Sequence, residues 1–454
     1  MESIDGDRKA SASAAFAVDD AMSKISACRR IAFFGHFGGG NLGNECTLQA
    51  TLDFLRRCSP GSEFLCICTG PELVTRTYGI PAIRSRPQVG KEPSSRHRLV
   101  RWARRLTLGV ATELHRWAEA VTRMWGTDVL IVPGTGLLSD AYTLFGWGPY
   151  DMFRWSLAAK LCRSKLLFVS VGAGPVTSRM AKFFVKTALS LADFRSYRDD
   201  STREYLAGIG LSVREDRVCP DLAFSLSVSP GCGARANTGR RPVVGVGVMS
   251  DPGRYSAPAE ENGAWARYRE TLLRFTQWLL EQEYDVRLLV GDVVDVPAIA
   301  EFKWLLKARV GSEETAHLLD EPADSVESLL SQLAETDFVV ATRFHNALVS
   351  LALNKPVITL SFHPKCSSLM KQMGISDYCQ PINGMREDML IEQFRRLRQN
   401  AELIKRTIAG KVQACRRALD EQYVALCDEI WPDSRRPGAR VVELKEHTNS
   451  SIRS

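Results

Sequence analysis

The sequence predicts an α/β protein made of two doubly wound, Rossmann-like domains that face each other across a cleft. Three observations carry this. Short, continuous apolar runs recur along the chain, each closed by Gly, Pro or a polar turn. Longer helical patterns separate these runs. The pattern then stops at a Gly- and Pro-rich stretch, residues 227–242, and starts again. Apolar runs without polar alternation are strands buried on both faces, the condition of a parallel sheet covered by helices. A chain of 454 residues, 45% hydrophobic and 24% charged, is long enough for two such cores.

Taken in order, residues 1–28 hold several acids and no sustained apolar stretch, and read as a flexible leader, not a signal peptide. RIAFFG (30–35) is the first strand; EFLCICTG (63–70), DVLIVPGTG (128–136) and KLLFVSVGAGP (165–175) follow, with FRSYRDD (194–200) as a weaker one. They define a first domain over 29–226. SVSPGCGARANTGRRP (227–242) reads as a linker. The second domain, 243–431, is built on VVGVGVMS (243–250), DVRLLVGD (285–292), DFVVATRFH (337–345) and PVITLSF (356–362). Helical segments lie at 261–282 and 325–336, and one long helical region runs over roughly 388–430. From 432 to 454 the chain reads as a disordered tail.

Composition excludes several classes. A net charge of +7 is mild and dispersed, so it favours anionic ligands and gives no case for nucleic acid. The twelve cysteines contain no CxxC pair, which argues against a zinc cluster or a secreted disulfide framework. No apolar stretch approaches the roughly 20 residues of a membrane span. The expected location is cytoplasmic. One insertion, 84–123, stands apart, with ten Lys or Arg against three acids. It interleaves Trp102, Leu106, Leu114 and Trp117 with Arg101, Arg104, Arg105 and Arg116. Such a helix either lies on an anionic bilayer, giving peripheral contact through 96–123, or packs one face on its own domain.

Chemistry concentrates where strands end, the place where open parallel sheets bind ligands. GHFGGGNLGNE (35–45) leaves the first strand and opens a helix. Its glycines allow close backbone approach, and the helix start favours an anion. Asn41, Asn44 and Glu45 either cap that helix or bind sugar hydroxyls. In YRDDSTREYL (197–206), Ser201 or Asp200 is the expected cap, and Arg198 can clamp a phosphate or carboxylate. VCPDLAF (218–224) places Asp221 in a turn. ATRFH (341–345) ends a buried run with a permanent cation, Arg343, and a proton carrier, His345; Asn346 follows as support. The neighbouring run ends in His363 and Lys365. No spacing suits a metal site.

Together these stretches resemble the polysaccharide pyruvyl transferase family. GGGNLGNE (38–45), SYRDDSTREYL (196–206), PDLAF (220–224) and ATRFHNALVSLALNKPVITLSFHPK (341–365) occur in that family's order. The resemblance implies a GT-B-like pair of domains and transfer of pyruvate from phosphoenolpyruvate, as a cyclic ketal, onto two hydroxyls of a sugar or lipid-linked oligosaccharide. No cofactor is implied. On this reading Arg343, Lys365 and Arg198 neutralise the donor's phosphate and carboxylate, with His363 as a further phosphate contact. His345 is the general acid or base. Glu45, with Asn41 and Asn44, serves the acceptor hydroxyls or acts as a supporting base. The basic insertion has no place in the family pattern. Two other readings share the architecture: a nucleotide-sugar glycosyltransferase, with Asp251, Glu260 or Asp292 holding the nucleoside, and a non-catalytic glycan-binding protein.

Overall fold

A computed structural model describes residues 28–86, 98–134, 136–139, 147–227, 240–250 and 261–432. The expected leader except residue 28, the tail except residue 432, all of the linker except residues 227 and 240–242, and Asp251 and Glu260 lie outside these described residues.

The first half runs β1 (Arg30–Phe34), α1 (Leu42–Cys58), β2 (Glu63–Cys68), α2 (Pro71–Tyr78), β3 (Ala82–Arg84), α3 (Arg98–Met124) and β4 (Val129–Pro133). It continues with α4 (Trp147–Leu161), β5 (Lys165–Val171), α5 (Arg179–Ser190), β6 (Phe194–Tyr197), α6 (Asp200–Gly208) and β7 (Arg217–Val218). These strands form one parallel sheet in the order β3-β2-β1-β4-β5-β6-β7. The second half runs β8 (Val243–Gly247), α7 (Glu261–Glu281), β9 (Asp285–Leu289), α8 (Val296–Lys307), α9 (Ser312–Thr315) and β10 (Leu318–Leu319). Then come α10 (Val326–Ala334), β11 (Phe338–Ala341), α11 (Phe344–Ala352), β12 (Val357–Ser361), α12 (Pro364–Gln372), β13 (Cys379–Pro381), α13 (Glu387–Gln399) and α14 (Ala401–Ile430). Its sheet is also parallel, ordered β10-β9-β8-β11-β12-β13.

The central strands are the apolar runs of the sequence. All five residues of β4 and of β8 are buried, because helices cover both faces. Four short edge strands, β3, β7, β10 and β13, have only two or three residues each and carry no readable pattern. The region 388–430, read as one helical stretch, is two helices that meet at Asn400.

The last helix does not stay with the second sheet. Tyr423 of α14 stacks on Phe54 of α1, with ring centroids 4.0 Å apart. Gln422 Nε2 donates to Ser170 Oγ at 3.0 Å in a buried site behind β5, and Lys165 pairs with Glu429 at 3.1 Å. The buried thiols of Cys58 and Cys427 face each other, 3.7 Å apart. α14 therefore closes one face of the first sheet.

The expected helix in the basic insertion is present as α3, 27 residues long. Its C-terminal half packs on its own domain: Ala120 and Met124 are fully buried, and Trp117 Nε1 donates to the Tyr150 hydroxyl at 3.0 Å. Arg116 pairs with Glu113 at 3.1 Å. No helix among the described residues is long and apolar enough to cross a membrane.

Candidate active site between the two sheets

The carboxyl ends of the strands of both sheets supply one cluster. Arg198 is the first residue after β6, and its backbone N–H donates to Val171 O at 3.0 Å. His345 lies in the first turn of α11, and Lys365 in the first turn of α12. Asp221 precedes a short 3-10 turn, Leu222–Ser225, which packs on α1, α11 and α14. Four distant parts of the chain thus meet at one place.

The geometry is close. Arg198 Nη1 donates to Asp221 Oδ2 at 3.3 Å, and His345 Nε2 stands 3.8 Å from the same oxygen. The Arg198 guanidinium lies 5.0 Å from the centre of the Phe344 ring, and Lys365 Nζ lies 5.3 Å from it, so two cations share one aromatic neighbour. The His345 side chain is 17% exposed, and among the described residues its Nε2 has no hydrogen-bond partner. The adjacent Asn346 is fully buried with neither end of its amide bonded among the described residues.

Electrostatics follow from this crowding. Burial first, then the Arg198 charge, lowers the Lys365 ammonium to about 8. Burial lowers the His345 imidazole to about 4; Asp221 works against that shift, whereas Lys365 and Arg198 add to it. The free site therefore holds a neutral imidazole between cations at neutral pH. His363 is lowered by burial and then by Lys365 and Arg198.

Two glycines make room. A Cβ on Gly43, in the first turn of α1, would lie 1.8 Å from His345 Nδ1. One on Gly172 would lie 2.4 Å from the Arg198 guanidinium. Each position lets backbone of the first half press against one of the clustered side chains, which only Gly permits.

The remaining expected residues are placed differently. Arg343 caps α11 by position, and its fork donates to Asp295 at 2.7 and 2.6 Å. Asp295 is fully buried and also accepts from Ser250 N and Oγ. The Arg343 fork is thus engaged by a protein carboxylate, which ties β11 to the loop after β9. Glu45 Oε1 accepts from Gly38 N at 2.7 Å and Oε2 from the Tyr78 hydroxyl at 3.1 Å, so its carboxylate holds the glycine loop. Burial raises its pKa. Asn41 caps α1 through Gly43 N and Asn44 N, and its Nδ2 donates across to Asp292 Oδ2 at 2.8 Å. Val293 N donates to Gly40 O at 3.0 Å beside it, so the two halves are clasped there. Asn44 Nδ2 donates to His36 O. His363 caps α12 by accepting from Lys365 N at 3.2 Å. The cap of α6 is Asp199, which accepts from Thr202 N at 2.7 Å, and neither Ser201 nor Asp200 takes that place.

Sequence reasoning undervalued two carboxylates. Asp221 does form its turn, accepting from Ala223 N at 3.0 Å, but its second oxygen faces Arg198 and His345. Asp295 lies in GDVVD, where nothing local marks it as a buried partner of Arg343. Only the pairing of the sheets reveals either role.

Two cations, an imidazole and a buried carboxylate between two domains can bind a small dianion and move a proton beside it. Two solved structures share the fold. A UDP-N-acetylglucosamine 2-epimerase aligns with TM-score 0.54 at 12% identity, over 92% of this chain and all of that one. The UDP-GlcNAc 2-epimerase from Neisseria meningitidis aligns with TM-score 0.52 at 9% identity, over 87% and 98%. At such identities the likeness concerns the GT-B-like arrangement alone. The amylovoran biosynthesis protein AmsJ of Erwinia amylovora is 24% identical over 81 residues, 18% of this chain. That match spans 20% of AmsJ. Residues 41–364 match the family model described as polysaccharide pyruvyl transferase, from the cap of α1 to the start of α12. A match over more than two thirds of the sequence, holding the whole cluster but for Lys365, is decisive: this chain belongs to the polysaccharide pyruvyl transferase family.

Proposed function

We propose that the chain transfers pyruvate from phosphoenolpyruvate onto two hydroxyls of a sugar, forming a cyclic ketal during surface or exopolysaccharide assembly. The observation that carries this reading is the approach of Arg198 and Lys365, from different sheets, to one ring beside His345. A donor with a phosphate and a carboxylate needs two converging cations.

The chemistry assigns each group a part. The neutral His345 accepts the proton of an attacking sugar hydroxyl, and the bound donor's negative charge raises its basicity. The imidazolium then gives that proton to the donor's methylene carbon, which becomes the methyl group. Asp221 stabilises the imidazolium. Phosphate leaves under the charge of Arg198 and Lys365, and the second hydroxyl closes the ring as its proton departs with phosphate. One donor and one diol thus yield one ketal and one phosphate.

Calorimetric titration with phosphoenolpyruvate tests the donor assignment without knowledge of the acceptor. Arg198→Ala and Lys365→Ala are each expected to weaken binding by roughly 10- to 100-fold, the scale of a hydrogen bond to a charged group. Binding of a nucleoside diphosphate sugar, with no response to phosphoenolpyruvate, would instead establish the glycosyltransferase reading.

A further inference from the structure

The face of the first sheet under α3, α4 and α5 carries apolar side chains that its core does not take up. Val110 and Leu114 of α3 are 56% and 65% exposed; Met180 and Phe183 of α5 are 60% and 55% exposed. They belong to one strip. Trp117, one turn after Leu114, meets Phe153 edge-on at 6.1 Å, and Phe153 lies 6.3 Å from Phe183.

The helices that carry the strip are rich in basic residues. α5 carries Arg179, Lys182 and Lys186 and no acid. α3 carries six arginines against Glu113 and Glu119, and Glu113 is turned inward to Arg116, Arg154 and Tyr150. Its position relative to the site follows from length. A 27-residue helix is about 40 Å long, whereas the five residues of β4 span about 17 Å. The buried C-terminal end of α3 leads directly into β4, so its N-terminal half runs past the carboxyl edge of the sheet. That is the edge from which Arg198 projects. α5, which follows β5, begins at the same edge.

We propose that this ridge docks on an anionic bilayer and holds the mouth of the cleft at the headgroup layer. Leu114, Met180 and Phe183 enter the acyl boundary while the neighbouring basic groups reach lipid phosphates. The surface is suited to a lamellar anion more than to a protein partner, because Met180 and Phe183 share their helix with Arg179, Lys182 and Lys186 and with no acid. A cleft so placed presents its acceptor site to sugars carried on lipid. That last step rests on the transferase reading; the docking does not.

Vesicle sedimentation with the full chain tests it. The protein is expected to pellet with phosphatidylcholine vesicles containing phosphatidylglycerol and to stay in solution with phosphatidylcholine alone. K182E/K186E lowers partitioning by roughly tenfold or more, because each basic group at the surface contributes roughly fivefold. L114E/F183E abolishes it, while Trp304→Glu, an equally exposed site on the second half, leaves it unchanged. Circular dichroism melting verifies that the variants fold. Failure of the wild-type chain to pellet, or pelleting that survives L114E/F183E, overturns the proposal. A dimer in solution that L114E/F183E dissociates also overturns it, in favour of a second copy as the occupant. Phosphoenolpyruvate binding is measured separately, so loss of docking and loss of the transferase reading give different results.

Discussion

His345 is the residue on which the proposed chemistry turns. Replacement by Gln keeps a polar side chain of similar reach but removes proton transfer. Turnover, measured as phosphate release, is expected to fall by about two to four orders of magnitude, the scale of general acid–base catalysis. Melting temperature should move little by comparison; unchanged turnover would exclude the imidazole from the reaction. Lys365 gives a second prediction with a definite sign. Its ammonium is lowered to about 8, so the cation is present below that pH and lost above it. The kcat/KM for phosphoenolpyruvate should therefore decline as pH rises through about 8, and Lys365→Arg should remove that alkaline limb, since guanidinium does not titrate there. A limb that persists in the Arg variant assigns it to another group. At this scale the sequence placed Arg198, His345 and Lys365 just past buried strands, and the structure brings the three side chains together. It gave no sign that Arg343 is held by Asp295, because no local signal marks a partner 48 positions away.

At the scale of elements, the site is made by helix starts pressed together. α1 from the first half and α11 from the second approach so closely that Gly43 touches the His345 ring. Gly43→Ala adds a single methyl where no space exists, and either the imidazole or the helix must move. Overpacking of this kind costs roughly 1–3 kcal/mol. Here the expected result is a loss of turnover of at least roughly tenfold with circular dichroism unchanged, measured beside His345→Gln; if the double variant is no worse than His345→Gln alone, the methyl acts through the ring. The major strands were legible from their apolar runs and α10 from its helical pattern; its Ser325 cap closes a reciprocal pair with Ser328 at 3.1 Å. The four short edge strands were not, since two or three residues hold no period. Their place is set by neighbours already in the sheet.

For the whole molecule, the clasp between Gly40–Asn41 and Asp292–Val293 is one of the contacts that join the halves. Burial raises the Asp292 carboxyl, and Asn41 is the amide it meets. Asn41→Asp keeps the oxygen that caps α1 but sets one carboxylate against another. The radius of gyration in small-angle scattering is expected to rise, and the KM for phosphoenolpyruvate with it, more strongly at pH 8 than at pH 5, as repulsion needs both groups ionised. Identical scattering from both proteins would mean that other contacts hold the halves together. The sequence predicted two sheets and a cleft; it gave no sign that the clasp exists, because each partner looks like an ordinary loop residue until the chain has folded.

The path of α14 bears on how such a chain is made. Its partners Phe54, Ser170 and Lys165 leave the ribosome long before Tyr423, Gln422 and Glu429 are synthesised. The earlier half must wait with an apolar flank bare to water, a surface that chaperones capture and that self-associates when none are present. Nascent chains stalled ahead of residue 401 should therefore be the stage most prone to aggregate, and a separately supplied α14 peptide the reagent that rescues them.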